Sequence, residues 1–293
     1  MGIVTEIAAH EKDLGGGFRV RRLLPSLARP SVGPFVFFDH FGPVAIEAGQ
    51  NIDVRPHPHI GLATVTFLFD GAMMHRDSLG NAVRIEPGAI NWMHSGRGIV
   101  HSERRPEDLR DQRSMLHGLQ LWVALPRSAE ESEPSFVHTP AERLPAFTEG
   151  PVDVRVMVGR AFGRESPVVT SSPTLYVALT IRAGGSIVLP PLATQLAAYT
   201  VAGEIAIDGR APGRGVLAVL DASRPVRISA TAPAQVVLIG GDPPDGRRLI
   251  WWNFVSSRKE RIVEAADAWA AQRLGQVPGE TDFIPLPDNR PEL

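Results

Sequence analysis

The chain has 293 residues, 43% of them hydrophobic, and its 30 Lys plus Arg nearly balance 32 Asp plus Glu for a net charge of -2. That length predicts two domains with real cores, while the even charge balance argues against direct nucleic-acid binding, which needs a basic excess or cluster. The absence of cysteine excludes disulfides and thiolate metal sites. With no signal-like apolar core near the N-terminus and no run approaching about 18 apolar residues, neither secretion nor a membrane is expected, and the expected compartment is cytoplasmic.

From Phe18 onward short apolar runs alternate with breakers, as in FRVRRLLPS and PFVFFDHFGP with Pro25, Pro30, Pro34 and Pro43. This punctuation predicts many short β-strands in sandwiches or barrels. The stretch VRPHPHIG then places His57 and His59 two residues apart, and GIVHSE does the same for His101 and Glu103. On a strand, residues i and i+2 share a face, so each pair can aim two donors into one space. If the two strands are neighbours, three imidazoles and one carboxylate converge as a metal site. The competing expectation is a stack of buried histidines around a structural carboxylate.

Imidazole with carboxylate and no thiolate leans toward a redox-capable, oxygen-tolerant ion such as Fe(II), with Ni, Cu, Mn or Zn as alternatives. Four protein ligands leave about two positions open on a six-coordinate ion, whereas structural sites are closed.

Between the pairs, 64–70 (TVTFLFD) and 81–85 are predicted strands, and 116–125 closes the first set. His94, His40 and Arg97 are candidates to line the pocket or hydrogen-bond a ligand. His117 could also face the cavity, although turn, core or rim roles compete in each case. His75, in the polar run HRDSLGN, is expected to be solvated, and Arg104-Arg105 to be an ordinary exposed pair.

The segment 127–151 is rich in Glu, Ser and Pro and reads as an interdomain linker. Predicted strands resume at 152–158, 175–181, 198–207, 216–220, 226–229 and 235–239, with Asp208-Gly209 as a hairpin turn. The domains expected are thus 1–130, carrying the metal site, and 151–293, joined by 131–150. All nine histidines lie at or before His138, so the second domain is expected to hold no His-based metal. Near the end, Ser257-Arg258-Lys259-Glu260 reads as a capping box for an amphipathic helix along Ile262, Ala266, Ala270 and Leu274, stopped by Gly275. Trp251-Trp252 is expected to be core, and Phe283 and Ile284 to need a groove.

These residues resemble a known family. His57-x-His59 fits the first cupin motif, with Thr64 where that motif has Glu and Gly71 at its final glycine. Gly80 to Gly88 keeps the second motif's spacing, but its His comes only after an insertion, as His101. That displacement is the pirin pattern, and GGGFRVRRLLP, HPHIGLATVT, GRGIVHSE and WWNFVSSRKERI resemble pirin segments in pirin order. The resemblance implies an all-β fold of two tandem cupin barrels (double-stranded β-helices) with a short C-terminal α-helix, and a C-terminal barrel without a metal site. It also implies iron on His57, His59, His101 and Glu103. The activity implied is quercetin 2,3-dioxygenase-type cleavage of a flavonol or other small aromatic enol with O₂, with Glu103 doubling as the catalytic base. The alternative it implies is an iron-containing regulator that binds a transcription factor or metabolic enzyme as its partner.

Overall fold

The computed structural model describes residues 2–13 and 18–289. Strands dominate, and among the described residues there is one α-helix, Lys259–Ala270. The strands expected from alternation recur within a few residues of their predicted ends, as Leu62–Asp70, Ser114–Ala124, Val152–Val158 and Thr174–Ile181.

The chain forms two compact units, each assembled from separate pieces. One comprises Met1–Lys12, Arg21–Asp39 and Thr139–Pro243; the other comprises Asp13–Val20, His40–His138 and Pro244–Leu293. In the first, seven strands run in the order Ile3–Ala8, Val216–Leu220, Gln195–Ala202, Ala234–Gly241, Thr174–Ile181, Val152–Val158 and Ala146–Glu149. A three-stranded sheet of Ser186–Leu189, Val226–Ser229 and Ala206–Ile207 accompanies it. Both sheets contribute to one apolar core, including Val177, Leu179, Leu238, Ile187 and Ile228. At the tip, Asp208 and Gly209 both adopt positive φ, the turn geometry expected for that dipeptide.

The other unit holds the site. Its smaller sheet runs Val54–His59, Ile99–Arg104, Met73–Asp77, Ala82–Ile85. In its larger sheet the strands around the site run Ser135–Thr139, Ile90–His94, Leu62–Asp70, Ser114–Ala124.

The units depart from the sequence-based boundaries in three places. The first strand pairs with Val216–Leu220. The expected linker supplies the strands Ser135–Thr139 and Ala146–Glu149. The C-terminal helix packs Ile262, Ala265, Ala266 and Trp269 against Ile60 and Val100, which flank the His57/His59 and His101/Glu103 pairs. Alternation along a strand does not encode which sheet it joins, and these assignments are settled by long-range pairing.

The capping box does not form. The Ser257 amide and hydroxyl are both engaged by the Glu130 carboxylate, at 3.0 and 2.9 Å, and the helix begins after Arg258 with no side-chain cap. It also stops at Ala270, before Gly275. Gln272 takes the left-handed position (φ 53°) and the Arg273 amide donates to the Ala268 carbonyl at 2.7 Å, a closure that usually uses glycine.

Candidate metal centre

The strand Ile99–Arg104 runs antiparallel to Val54–His59, placing His101 opposite His57 and Ile99 opposite His59. A register shift after His101 brings Glu103 opposite Val54. The donor nitrogens of His57, His59 and His101 lie within 4.8 Å of one another, and all three side chains are buried. Glu103 joins them at the side, with Oε1 3.4 Å from His101 Nδ1 and Oε2 3.9 Å from His57 Nε2.

Backbone carbonyls fix two of the rings. His57 Nδ1 donates to the Arg55 carbonyl at 2.8 Å and His59 Nδ1 to the Asn253 carbonyl at 3.1 Å. A carbonyl only accepts, so each Nδ1 carries the proton and each Nε2 keeps its lone pair for a metal. Burial lowers the pKa of His57 to about 4, against the opposing effect of the Arg55 bond. Burial, and then repulsion from neighbouring imidazoles, holds His59 and His101 well below the usual histidine range. Burial pushes Glu103 the other way, up to about 8, despite Arg104 nearby.

Both ring nitrogens of His101 and Oε2 of Glu103 are buried without a hydrogen-bond partner. Buried polar atoms are normally satisfied; a neutral imidazole has one lone pair and one N–H, so a cation held by one His101 nitrogen and Glu103 Oε2 removes most of the deficit. The donor set, three neutral nitrogens with a carboxylate oxygen and no sulfur, fits iron, nickel, copper, manganese or zinc.

Other expected pocket residues lie elsewhere. His94 lies on the face opposite Thr64 and Met93, because it pairs with Ala63 while Met93 pairs with Thr64; its Nε2 meets Ser132 Oγ at 2.7 Å. His40 pairs with His117, Nε2 to Nε2 at 2.8 Å, and is not in the three-histidine group. Arg97 is exposed and ion-paired with Glu133 at 2.5 Å.

His75 reverses its expected solvation. It is buried opposite Glu103, meets Asp77 Oδ2 at 3.0 Å, and stacks on Phe136 at 4.1 Å. Burial raises the Asp77 pKa, but bonds from His75 and Asn81 outweigh it and leave it below the usual range. The His75-x-Asp77 spacing matches that of the two ligand pairs, a signal masked by the polar residues that follow.

Arg105 is also buried, donating to the carbonyls of Glu47, Gln50 and Gln112 at 2.8, 3.1 and 2.6 Å. Arg104 binds the C-terminal tail. Glu280 accepts from Ser102 Oγ at 2.7 Å and from Arg104 Nε at 3.0 Å, and the Ile284 amide donates to the Pro56 carbonyl at 2.8 Å. The tail thus braces the reverse side of both ligand strands. Phe283 finds the Trp269 ring edge-on at 5.7 Å. Trp251 and Trp252 are partly buried against the same cluster as the helix.

Two family models match the chain: Pirin over residues 17–123 and the Pirin C-terminal cupin domain over residues 176–275. A pirin-like protein of Caulobacter vibrioides is 45% identical over 286 residues, covering 96% of this chain and 98% of that one. A crystal structure of quercetin 2,3-dioxygenase from Acinetobacter baumannii superposes with a TM-score of 0.91 at 32% identity, covering 99% of this chain and 97% of that one. The structure of a bacterial pirin from Escherichia coli in complex with nickel(II) shares the fold at 19% identity and a TM-score of 0.64, over 82% of this chain and 99% of that one. The common architecture is a pair of cupin-type β domains, and no helix among the described residues is long and apolar enough to cross a membrane.

Proposed function

The chain belongs to the pirin family, and from that membership we propose that it is a cytoplasmic, metal-dependent dioxygenase opening a flavonol or similar aromatic enol with O₂, with Fe(II) as its metal. The observation carrying this proposal is the buried trio His57, His59 and His101 beside a carboxylate whose Oε2 has no partner. The name quercetin 2,3-dioxygenase on the Acinetobacter structure supports the substrate class, and nickel(II) in the Escherichia coli pirin keeps that ion as the alternative metal.

In this proposal His57, His59, His101 and Glu103 hold the ion. Bound there, iron(II) would supply open coordination positions and the redox capacity for reaction with O₂. The remaining work falls to the chain. Burial keeps the imidazoles neutral, and the carbonyls of Arg55 and Asn253 hold two of them with Nε2 aimed inward. Glu103, whose buried Oε2 has no hydrogen-bond partner, takes the enolic proton at that oxygen as the substrate binds. Trp122, edge-on to His59 at 5.2 Å, and Phe136, stacked on His75, keep water from the reacting centre.

The test is to load the protein with iron(II), add quercetin under air, and follow the flavonol absorbance with CO release. Turnover at ordinary enzyme rates, lost together with iron in His101→Ala, is expected. Turnover that persists in an iron-free His101→Ala variant excludes the proposal. Absence of turnover with a co-purifying protein favours the regulatory alternative.

A further inference from the structure

The face of the larger sheet that looks toward the metal ligands carries a polar row where a packed core would be apolar. Thr64 lies between Met93 and Trp122, and one step further along the same face Thr66 lies between Asn91 and Gln120. The ring contact of Trp122 with His59 at 5.2 Å identifies this face as the one turned to the site. On the opposite face Val65, Phe67, Leu119, Leu121, Ile90 and Trp92 are all buried and apolar. At these central positions the polar row is therefore on the metal side.

Within the row, Thr66 Oγ1 donates to Gln120 Oε1 at 2.8 Å, and His138 Nδ1 donates to Asn91 Oδ1 at 2.6 Å. Asn91 is only 2% exposed, and its Nδ2 has no partner. Turning the amide over merely exchanges its two ends and leaves one of them unmatched. Phe136 sits two residues before His138 on the same strand, with its ring on His75, whose ring centre is 5.3 Å from that of His101. Asn91 thus lies one strand step, about 7 Å, beyond the aromatic wall of the metal centre. Gln120, Phe136 and His138, which border this end of the row, are partly exposed.

We propose that this row is the subsite for the portion of the substrate remote from the metal, and that it selects rings bearing additional oxygen substituents. Asn91 Nδ2 donates to such an oxygen while Trp122 and Phe136 flank the ligand plane. This rests on the flavonol reading above and adds a selection rule to it: a ligand bearing the oxygen gains a hydrogen bond from the buried amide, and one lacking it gains nothing there.

The experiment titrates iron(II)-loaded full-length protein, free of O₂, with quercetin and with 3-hydroxyflavone, which keeps the enol and ketone but has no other hydroxyl. The wild type should bind quercetin about tenfold more tightly. Asn91→Leu should erase that preference while leaving 3-hydroxyflavone affinity and iron stoichiometry unchanged; Asn91→Ala, which adds no bulk, serves where leucine does not fit. Equal losses for both ligands, or an unchanged preference, overturn the subsite while leaving the flavonol reading intact. Failure of the wild type to bind either ligand overturns both.

Discussion

Glu103 is the residue at which proton and metal compete. Its carboxyl is buried and holds its proton to about pH 8 in the metal-free chain, whereas the histidines are already neutral well below that. Binding a cation therefore displaces one proton below pH 8, so apparent affinity should rise by about tenfold per pH unit from pH 6 to 8 and then level off. Glu103→Gln should bind more weakly and without that slope, measured by competition against a chelator at several pH values. A slope that survives in the variant would move the proton to another group. The convergence of His57, His59 and His101 with Glu103 beside them was legible from sequence because strand alternation converts i, i+2 spacing into a shared face. The Asn253 carbonyl that orients His59 was not, since a backbone group leaves no side-chain signature. His75 was misjudged because polar neighbours say little about a strand's inner face when a long-range partner such as Phe136 covers it.

At the scale of elements, the two strands carrying the candidate donors are held from behind. Gly61, directly after the His57-Pro58-His59-Ile60 run, has φ of +67°, and a Cβ there would meet the Val255 carbonyl oxygen at 2.0 Å. The Val255 amide in turn donates to the Ile60 carbonyl at 3.1 Å. Gly61→Ala should cost about 2–5 kcal/mol in denaturant unfolding, combining backbone strain with a clash against main chain; a loss under about 1 kcal/mol would show that the turn relaxes freely. Glu280 supplies the second brace, with its side chain 5% exposed against an Arg104 side chain 14% exposed. Glu280→Ala should lower stability by on the order of 3 kcal/mol, as when one partner of a mostly buried ion pair is removed. It should also weaken metal binding, because Ser102 and Arg104 alternate with His101 and Glu103 on one strand. Unchanged metal affinity in a variant that remains folded would confine Glu280 to stability. Sequence periodicity located the strands and the helix, but not the helix's partners or its start, because Glu130 takes the serine that local pattern assigned to the cap.

The whole molecule interleaves its pieces, and this gives the unit with the candidate donors a requirement that those four residues alone do not show. All four candidate donors lie between His57 and Glu103, yet the unit containing them also draws on Pro244–Leu293. A chain ended before Pro244 keeps every donor but loses the Asn253 carbonyl, the helix behind Ile60 and Val100, and Glu280. It should fail to retain metal through gel filtration, and retention at full stoichiometry would show that the N-terminal pieces suffice. The two-barrel character was readable from the repeated sets of short strands and from the pirin segments. The interleaving was not, because it depends on which sheet accepts each terminal segment. The central claim is tested most directly by anomalous scattering at the iron edge from crystals of protein grown under iron-replete conditions. The account predicts a single peak within about 2.2 Å of nitrogens from His57, His59 and His101 and of a Glu103 oxygen; a peak elsewhere, or none between these side chains, would contradict it.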